Sequence, residues 1–437
     1  MLVEIRHTPA APLLTTAPGD RRLYSRARFI DRQVLNARRY LDGLALLEPE
    51  EFGTEAVQPT IAHIRAANVL VRDLHAALAR DVTEMSRVGA ALKADPGAAP
   101  AGFLHLKDRV YLQTQEAEKL LAFYRGIFTQ RTGPFGGKLR GVDRIARNCY
   151  QAVWMGLGRA LSVPAPQPFA YLEDGNGPAT YRRGVRLSKL GKRPNPFPLV
   201  KVPQHRLHNP WTLGAIPHEV AHNLQNDLGL WEDMPKRIAA RMRAKLPPEA
   251  IAVWTRWHKE SFADLAGCLL IGPAYVESLI DVVGRTKSRT AHFNPEGVHP
   301  TPLLRVPLNC SLLRRMGFQA EARAFETAWN RIYPPALRRN LPRPFRDTVE
   351  AGTTLMVQAI CYDPLPQLGN RALAQVVSFG HRDVAFVTEA AHRLARGENT
   401  GVLPERHLIA AARLAISRKG ADPAAISRNF YATLQRV

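Results

Sequence analysis

The chain has 437 residues, 46% of them hydrophobic, enough for two or three domains or one large domain with helical additions, and too apolar for long disorder. Sixty Lys+Arg against 38 Asp+Glu give a formal charge of +22, which favours polyanions, acidic proteins or anionic surfaces as partners and says nothing about fold. Cys149, Cys268, Cys310 and Cys361 stand far apart without a CxxC pair, which argues against a disulfide framework or a cysteine-zinc site and fits core thiols in a reducing compartment.

Taken in chain order, Met1-Leu2-Val3-Glu4-Ile5-Arg6-His7 lacks the uninterrupted apolar stretch of a signal peptide, and a cytoplasmic protein is expected. Ile61, Ile64, Val71, Leu74, Leu78, Val82 and Met85 recur at steps of three, four and seven, which predicts one long amphipathic helix. A link over Gly89–Gly102 follows, then a helix from about Leu104 to Phe128 with Leu106, Val110, Leu120, Phe123 and Ile127 inward. Gly133-Pro134-Phe135-Gly136-Gly137-Lys138 has the glycine density of a phosphate loop, but it follows a helix and lacks the spacing, so a turn is expected. Another helix is predicted over about Val142–Leu161.

From Pro164 to Pro210, prolines and glycines punctuate three β-like runs: Phe169–Leu172, Thr180–Leu187 and Leu199–Val202. They predict a small antiparallel sheet just ahead of the next helix. Pro247-Pro248-Glu249 opens a helical segment that carries Glu260 and Asp264. The most apolar stretch, Leu265–Val283, contains Pro273, Glu277 and Asp281 and reads as buried helices; no stretch reaches the roughly 18 apolar residues of a membrane span. Further helices follow from about Arg331, one over Asp383–Arg396 stopping at Gly397 and the next beginning near Pro404. The expected fold class is mainly α (α+β), with an N-terminal helical region (1–163), a central region (164–330) and a C-terminal helical region (331–437).

The central region carries the chemistry. His218-Glu219-Val220-Ala221-His222 has the HExxH spacing. Histidines four apart lie one above the other on a helix, so both rings can reach one ion, and the glutamate between them can hold and deprotonate a water. Zinc needs a third donor. A histidine at the metzincin position is absent, since 225 is Gln and 228 is Leu. Asp227 would face away from the ion, and Glu232 and Asp233 fall in a turn. Glu260, thirty-eight residues beyond His222 on another predicted helix, is the better third ligand. Asp264 lies one turn further on the same face, where it can accept a hydrogen bond from a ligand imidazole. Tyr275 is weighed as an oxyanion donor or as core. Pro217, just before His218, is comfortable only if the helix starts near Leu213 or Gly214.

HExxH followed by Glu260-Ser261-Phe262-Ala263-Asp264 resembles the gluzincin metallopeptidases, nearest the ExxAD form of minigluzincins and the HtpX and prenyl-protease type. His299-Pro300-Thr301-Pro302-Leu303-Leu304-Arg305 is similar to the HP-x4-R segment of those enzymes. The three motifs span His218 to Arg305, roughly a fifth of the chain, in the family's order. The resemblance implies a zincin-like catalytic core over 164–330 and one Zn2+ per chain on His218, His222 and Glu260. It implies Glu219 as general base, Asp264 behind the ligands, and His299 or Arg305 against substrate or the oxyanion; from the residues alone, His299 reads equally as a capping or core histidine and Arg305 as half of a structural ion pair. Lys259 departs from the pattern, standing where related enzymes often have Asn, and leaves the His222 ring without an assigned partner.

The expected activity is therefore hydrolysis of peptide bonds in a peptide or protein substrate. Leu199-Val200-Lys201-Val202, read as an edge strand, would bind extended substrate by strand addition. The basic run Arg182, Arg183, Arg186, Lys189, Lys192 and Arg193 suggests acidic substrates, or a solvated hairpin. Two alternatives remain: a polyanion- or nucleic-acid-docking protein carrying a zincin domain, though no nucleic-acid motif is present, and a non-catalytic scaffold.

Overall fold

The computed structural model describes residues 25–54 and 56–436, so the segment Met1–His7 lies outside the described residues. The chain is mainly helical with a small sheet. It opens with α1 (Arg26–Asp42), α2 (Ile61–Ala94) and α3 (Ala101–Thr129). The α2 stripe is buried as its spacing requires from Ile64 to Met85, but Ile61, the first helical residue, is exposed. The expected link at Gly89 is shorter, because α2 runs on to Ala94 and the break covers only Asp95 to Pro100.

Two compact units divide the chain, one holding residues to Leu46 with Val71–Glu118, the other Leu47–Leu70 and everything from Lys119. The first has its own core of Ile30, Leu78, Val82, Met85, Phe103 and Val110. Its surface carries a two-pronged Arg109–Asp81 ion pair, 2.7 and 2.5 Å.

In the second unit α4 (Gly136–Gly156) starts inside the segment expected to be a turn. Then come β1 (Phe169–Leu172), β2 (Ala179–Tyr181), β3 (Arg186–Leu187), β4 (Arg193–Pro194) and β5 (Leu199–Val202). The sheet is mixed, not antiparallel: in the order β1-β5-β2, β5 runs parallel to β1 and antiparallel to β2. The predicted run from Thr180 to Leu187 breaks at a turn through Gly184 (φ +79°), and β3 pairs with β4 as a separate hairpin. That excursion returns the chain in the direction of β1, which makes the β1–β5 pair parallel.

The helices that follow are α5 (Ala215–Asp227), α6 (Met234–Met242), α7 (Pro248–Arg256), α8 (His258–Ile271), α9 (Pro273–Val283), α10 (Lys287–Thr290) and α11 (Pro302–Arg315). Pro217 is the third residue of α5, in the first turn, where its missing N–H costs nothing. The segment opened by Pro247 is two helices, parted at Trp257. Apart from Lys259, every residue of α8 is buried, which accounts for its lack of an amphipathic pattern. Gly272 ends α8 at φ +65°, ψ −145°, a conformation open only to glycine, and Pro273 starts α9 at once.

α5 packs along α8 and against α4, while α11 crosses α8 and α9. Helices His381–Arg396, Leu408–Ile416 and Pro423–Gln435 complete the same core, with Gly397 capping the first in the left-handed region. The boundaries expected at 163/164 and 330/331 therefore do not part compact units. Leu139, Val142, Ile145, Cys149 and Val153 on α4 are buried in one core with Ile409, Phe430 and Leu434. Among the described residues no helix is long and apolar enough to cross a membrane.

Candidate metal centre

The i, i+4 spacing on α5 sets the His218 and His222 rings 4.8 Å apart, centre to centre. Glu260, near the start of α8, reaches between them. Its Oε2 is 3.4 Å from His218 Nε2 and its Oε1 is 3.4 Å from His222 Nε2. The candidate ligand atoms of the three residues all lie within 4.8 Å of one another. Donors around a tetrahedral zinc with bonds of about 2.1 Å stand roughly 3.4 Å apart, so two nitrogens and a carboxylate at this spacing fit that ion.

Behind the triad, Asp264 is wholly buried and fully engaged. It accepts from Arg305 Nε at 2.7 Å, from the second prong of that guanidinium at 2.6 Å and from the Tyr275 hydroxyl at 2.6 Å. His218 Nδ1 stands 3.0 Å from the same carboxylate and 3.1 Å from the Tyr275 oxygen. A carboxylate there keeps a proton on Nδ1 and turns Nε2 towards Glu260. Burial alone would favour a neutral Asp264, but Arg305 outweighs it and holds the carboxyl down at about 2. Burial likewise opposes charge on His218, yet the Asp264 and Glu260 carboxylates push it up to about 10. Gly267 makes the arrangement possible: a Cβ there would stand 2.4 Å from the Tyr275 ring.

Glu219 lies at the cluster, and burial raises its carboxyl above the ordinary range against the pull of the two histidines. Such a shift suits a group that must both take up and release a proton. His299 Nε2 is 3.4 Å from Glu260 Oε1, and its side chain is 68% exposed, so it hangs at the rim of the site. The His222 Nδ1 is buried without a hydrogen-bond partner among the described residues. Asp227 does face away from the cluster and accepts from the Tyr150 hydroxyl at 3.0 Å.

Of the two readings of Arg305, the structure shows the ion pair: its Nε and Nη2 donate to Asp264 and its side chain is 11% exposed, though it also lines one arm of the groove. One expected role needs correction. The strand Leu199-Val200-Lys201-Val202 is not an edge. It is the central strand, bonded on both sides, with Leu199, Val200 and Val202 buried and Lys201 paired to Glu173 at 3.4 Å. A near-continuous apolar run is what a strand covered on both faces requires. The edges are β1 and β2, and the one beside the cluster is β2, tied to α5 by an Asn223–Thr180 hydrogen bond of 2.8 Å.

The cluster lies in a groove with two arms that share His218, Glu219, Glu260, His299 and Pro178 as common wall. One arm runs past Gly214, Tyr275, Leu279 and Val282. The other runs along Ala179 and Thr180 of β2 to Arg182, Trp231 and Lys259. Trp231 escapes sequence reasoning: it is one aromatic in a turn after α5, and nothing local marks it. Tyr275, weighed from sequence as an oxyanion donor or as core, is a buried residue whose hydroxyl donates to Asp264, a role nothing local marks. No protein family, curated protein or solved structure matches the chain.

Proposed function

We propose that this protein is a zinc-dependent peptidase with a gluzincin-type, zincin-like core, in which His218, His222 and Glu260 hold one Zn2+. The observation that carries the reading is the convergence of two imidazole nitrogens and a carboxylate from separate helices, at tetrahedral spacing, beside a buried glutamate in an open groove. A bound zinc ion would supply Lewis acidity, polarising a substrate carbonyl and making water acidic near neutral pH.

The remaining steps belong to the chain's own side chains. Glu219 takes the proton of the attacking water and passes it to the leaving amine, a double duty helped by its raised pKa. His299, exposed at the rim, is the side chain available to donate a hydrogen bond to the developing oxyanion. Asp264, Tyr275 and Arg305 are positioning residues that fix the tautomer and orientation of His218. An extended substrate adds as a strand to β2, which has no further strand on its outer side among the described residues and borders the groove. Four buried free thiols fit a reducing compartment, hence the cytoplasm.

The test pairs metal analysis with digestion. Wild type and Glu219→Gln should each retain one zinc, and only wild type should cleave a peptide library. Equal behaviour of the two on every peptide, or no bound metal in either, would overturn the proposal.

A further inference from the structure

Of the six basic residues from Arg182 to Arg193, three are engaged with the scaffold. Arg183 donates to the backbone carbonyls of Ala165, Pro166 and Pro196, and Lys189 pairs with Glu173. Arg186 donates to the Lys192 carbonyl. Arg182 alone among them lines the groove, and there it meets a cation from a distant part of the chain. The Arg182 guanidinium carbon sits 3.3 Å from the Trp231 ring centre, and the Lys259 ammonium lies over the same ring at 4.7 Å. Lys259 directly precedes the ligand Glu260, so this aromatic-backed pair stands at the wall of the arm that contains the metal cluster.

Two cations held on one ring repel each other. The ring faces attract each, by about 0.5–1 kcal/mol at partly exposed sites, but neutralise neither. Neither Arg182 nor Lys259 has a carboxylate partner within ion-pair distance among the described residues. The hydrogen bond of Arg182 goes to the amide oxygen of Asn226 at 2.8 Å, which leaves most of its fork free. Both side chains are half-buried, so solvent screens them less than it would a charge on an open helix face. Glu232 and Asp227 are the acids nearest Arg182 and neither forms an ion pair with it, so the positive charge this arrangement concentrates beside the reacting centre is complementary to an anion brought by the substrate.

Resting on the peptidase reading above, we infer that Arg182 and Lys259, braced on Trp231, form a subsite for a carboxylate of the substrate peptide. The carboxylate is that of an Asp or Glu side chain or of the chain end. Planar guanidinium donors and a flexible ammonium together suit a two-oxygen acceptor. The specificity determinant is thus assembled from three separate segments, and of the hairpin's basic residues only Arg182 lines it.

The probes are acetylated, amidated alanine octapeptides carrying a single Glu, or its isostere Gln, at each position in turn, with the all-alanine peptide bearing a free carboxyl terminus. Binding is measured on zinc-loaded Glu219→Gln protein by titration calorimetry, and cleavage on wild type. The expected result is an acid-over-amide preference of about tenfold at one position, corresponding to about 1.4 kcal/mol. That preference should fall to about twofold or less in Arg182→Gln and in Lys259→Met. Lys259→Met carries the test even if Arg182→Gln disturbs the hairpin, because Lys259 makes no hydrogen bond or ion pair among the described residues. A preference only for the free terminus identifies the chain end as the source and supports the subsite equally. Peptides that bind or are cleaved with no preference for acid, or a preference that survives both substitutions, overturn the subsite and leave the peptidase reading intact. Failure of every peptide to bind or to be cleaved overturns both.

Discussion

Arg305 on α11 clasps Asp264 on α8 through two nearly parallel hydrogen bonds of 2.7 and 2.6 Å, and Asp264 in turn holds His218 Nδ1 at 3.0 Å. One arginine thus fixes the orientation of a candidate metal ligand that it never touches. Removing it as Arg305→Met leaves a wholly buried carboxylate without its counter-charge, a change that costs about 3–5 kcal/mol where such pairs have been broken. Metal affinity should fall about 10- to 100-fold, the usual effect of losing a group that braces a ligand. Urea denaturation and a competitive zinc titration measure the two effects separately. Arg305→Lys should rescue part of the stability, because charge is restored, but less of the affinity, because the fork is not. Unchanged zinc binding in Arg305→Met would show that Asp264 does not act through the metal site.

Tyr275 offers a finer probe of the same network. Its hydroxyl donates to Asp264 and lies 3.1 Å from His218 Nδ1, in a place reached only because position 267 has no side chain. Tyr275→Phe keeps the ring and removes one hydrogen bond to a charged group, so a loss of about 1.5–3 kcal/mol is expected. Gly267→Ala forces the ring away from α8 and should be worse for zinc affinity than Tyr275→Phe, although it adds only a methyl group. Thermal melts with and without zinc would rank them; the opposite order for zinc affinity would show that the hydroxyl, not the seating of the ring, dominates.

How much of this could be read from sequence depends on the range of the interaction. The His218/His222 pair is set by the pitch of a single helix, so its spacing carried the signal. Glu260 and Asp264 were legible for the same reason, being four apart on one helix. The helical stripe of α2 was equally local, and only its first residue strayed. The partner of Arg305 and the central place of Leu199–Val202 were not legible, because each depends on residues from elsewhere. Nothing around position 305 says that a buried carboxylate waits forty-one residues upstream. Likewise β5 has the length and composition of a strand, but whether it is central or at an edge is decided by where β1 and β2 return. Trp231 joins the site through contacts from residues 182 and 259, and no window of sequence contains all three.

If substrate adds to the open edge of β2, its backbone must bond in the alternating manner of a sheet, in which every second residue points its N–H at the neighbouring strand. N-methylation of a bound peptide, moved along the chain one amide at a time, should then weaken binding to the Glu219→Gln protein with a period of two. Each blocked bond should cost roughly 1 kcal/mol, several-fold in affinity. A smooth or aperiodic profile would exclude strand addition while leaving the metal chemistry untouched.

Away from the metal, His63 predicts an acid limit on stability. The ring is buried, with Nε2 bonded to the Gln167 carbonyl at 2.8 Å and Nδ1 to the Thr60 hydroxyl at 2.7 Å. A carbonyl only accepts, so Nε2 carries the proton and Thr60 donates to Nδ1, leaving the neutral ring fully satisfied. Burial depresses its pKa from 6.5 to about 4, outweighing the bond to Gln167 and the nearby Asp143. The unfolded chain therefore takes up a proton between these values and the folded chain does not. Stability from this residue is complete above pH 6.5 and drains away as pH falls towards 4, by on the order of 1 kcal/mol per pH unit. Replacing it as His63→Gln, which keeps polar atoms near both partners but cannot titrate, should flatten that part of the curve while lowering stability at pH 8. Chemical denaturation from pH 8 to pH 4 compares the two slopes, with zinc held saturating so that ligand protonation does not contribute. Equal slopes in the variant and the wild type would mean that His63 is already protonated in the fold, with Thr60 turned to accept.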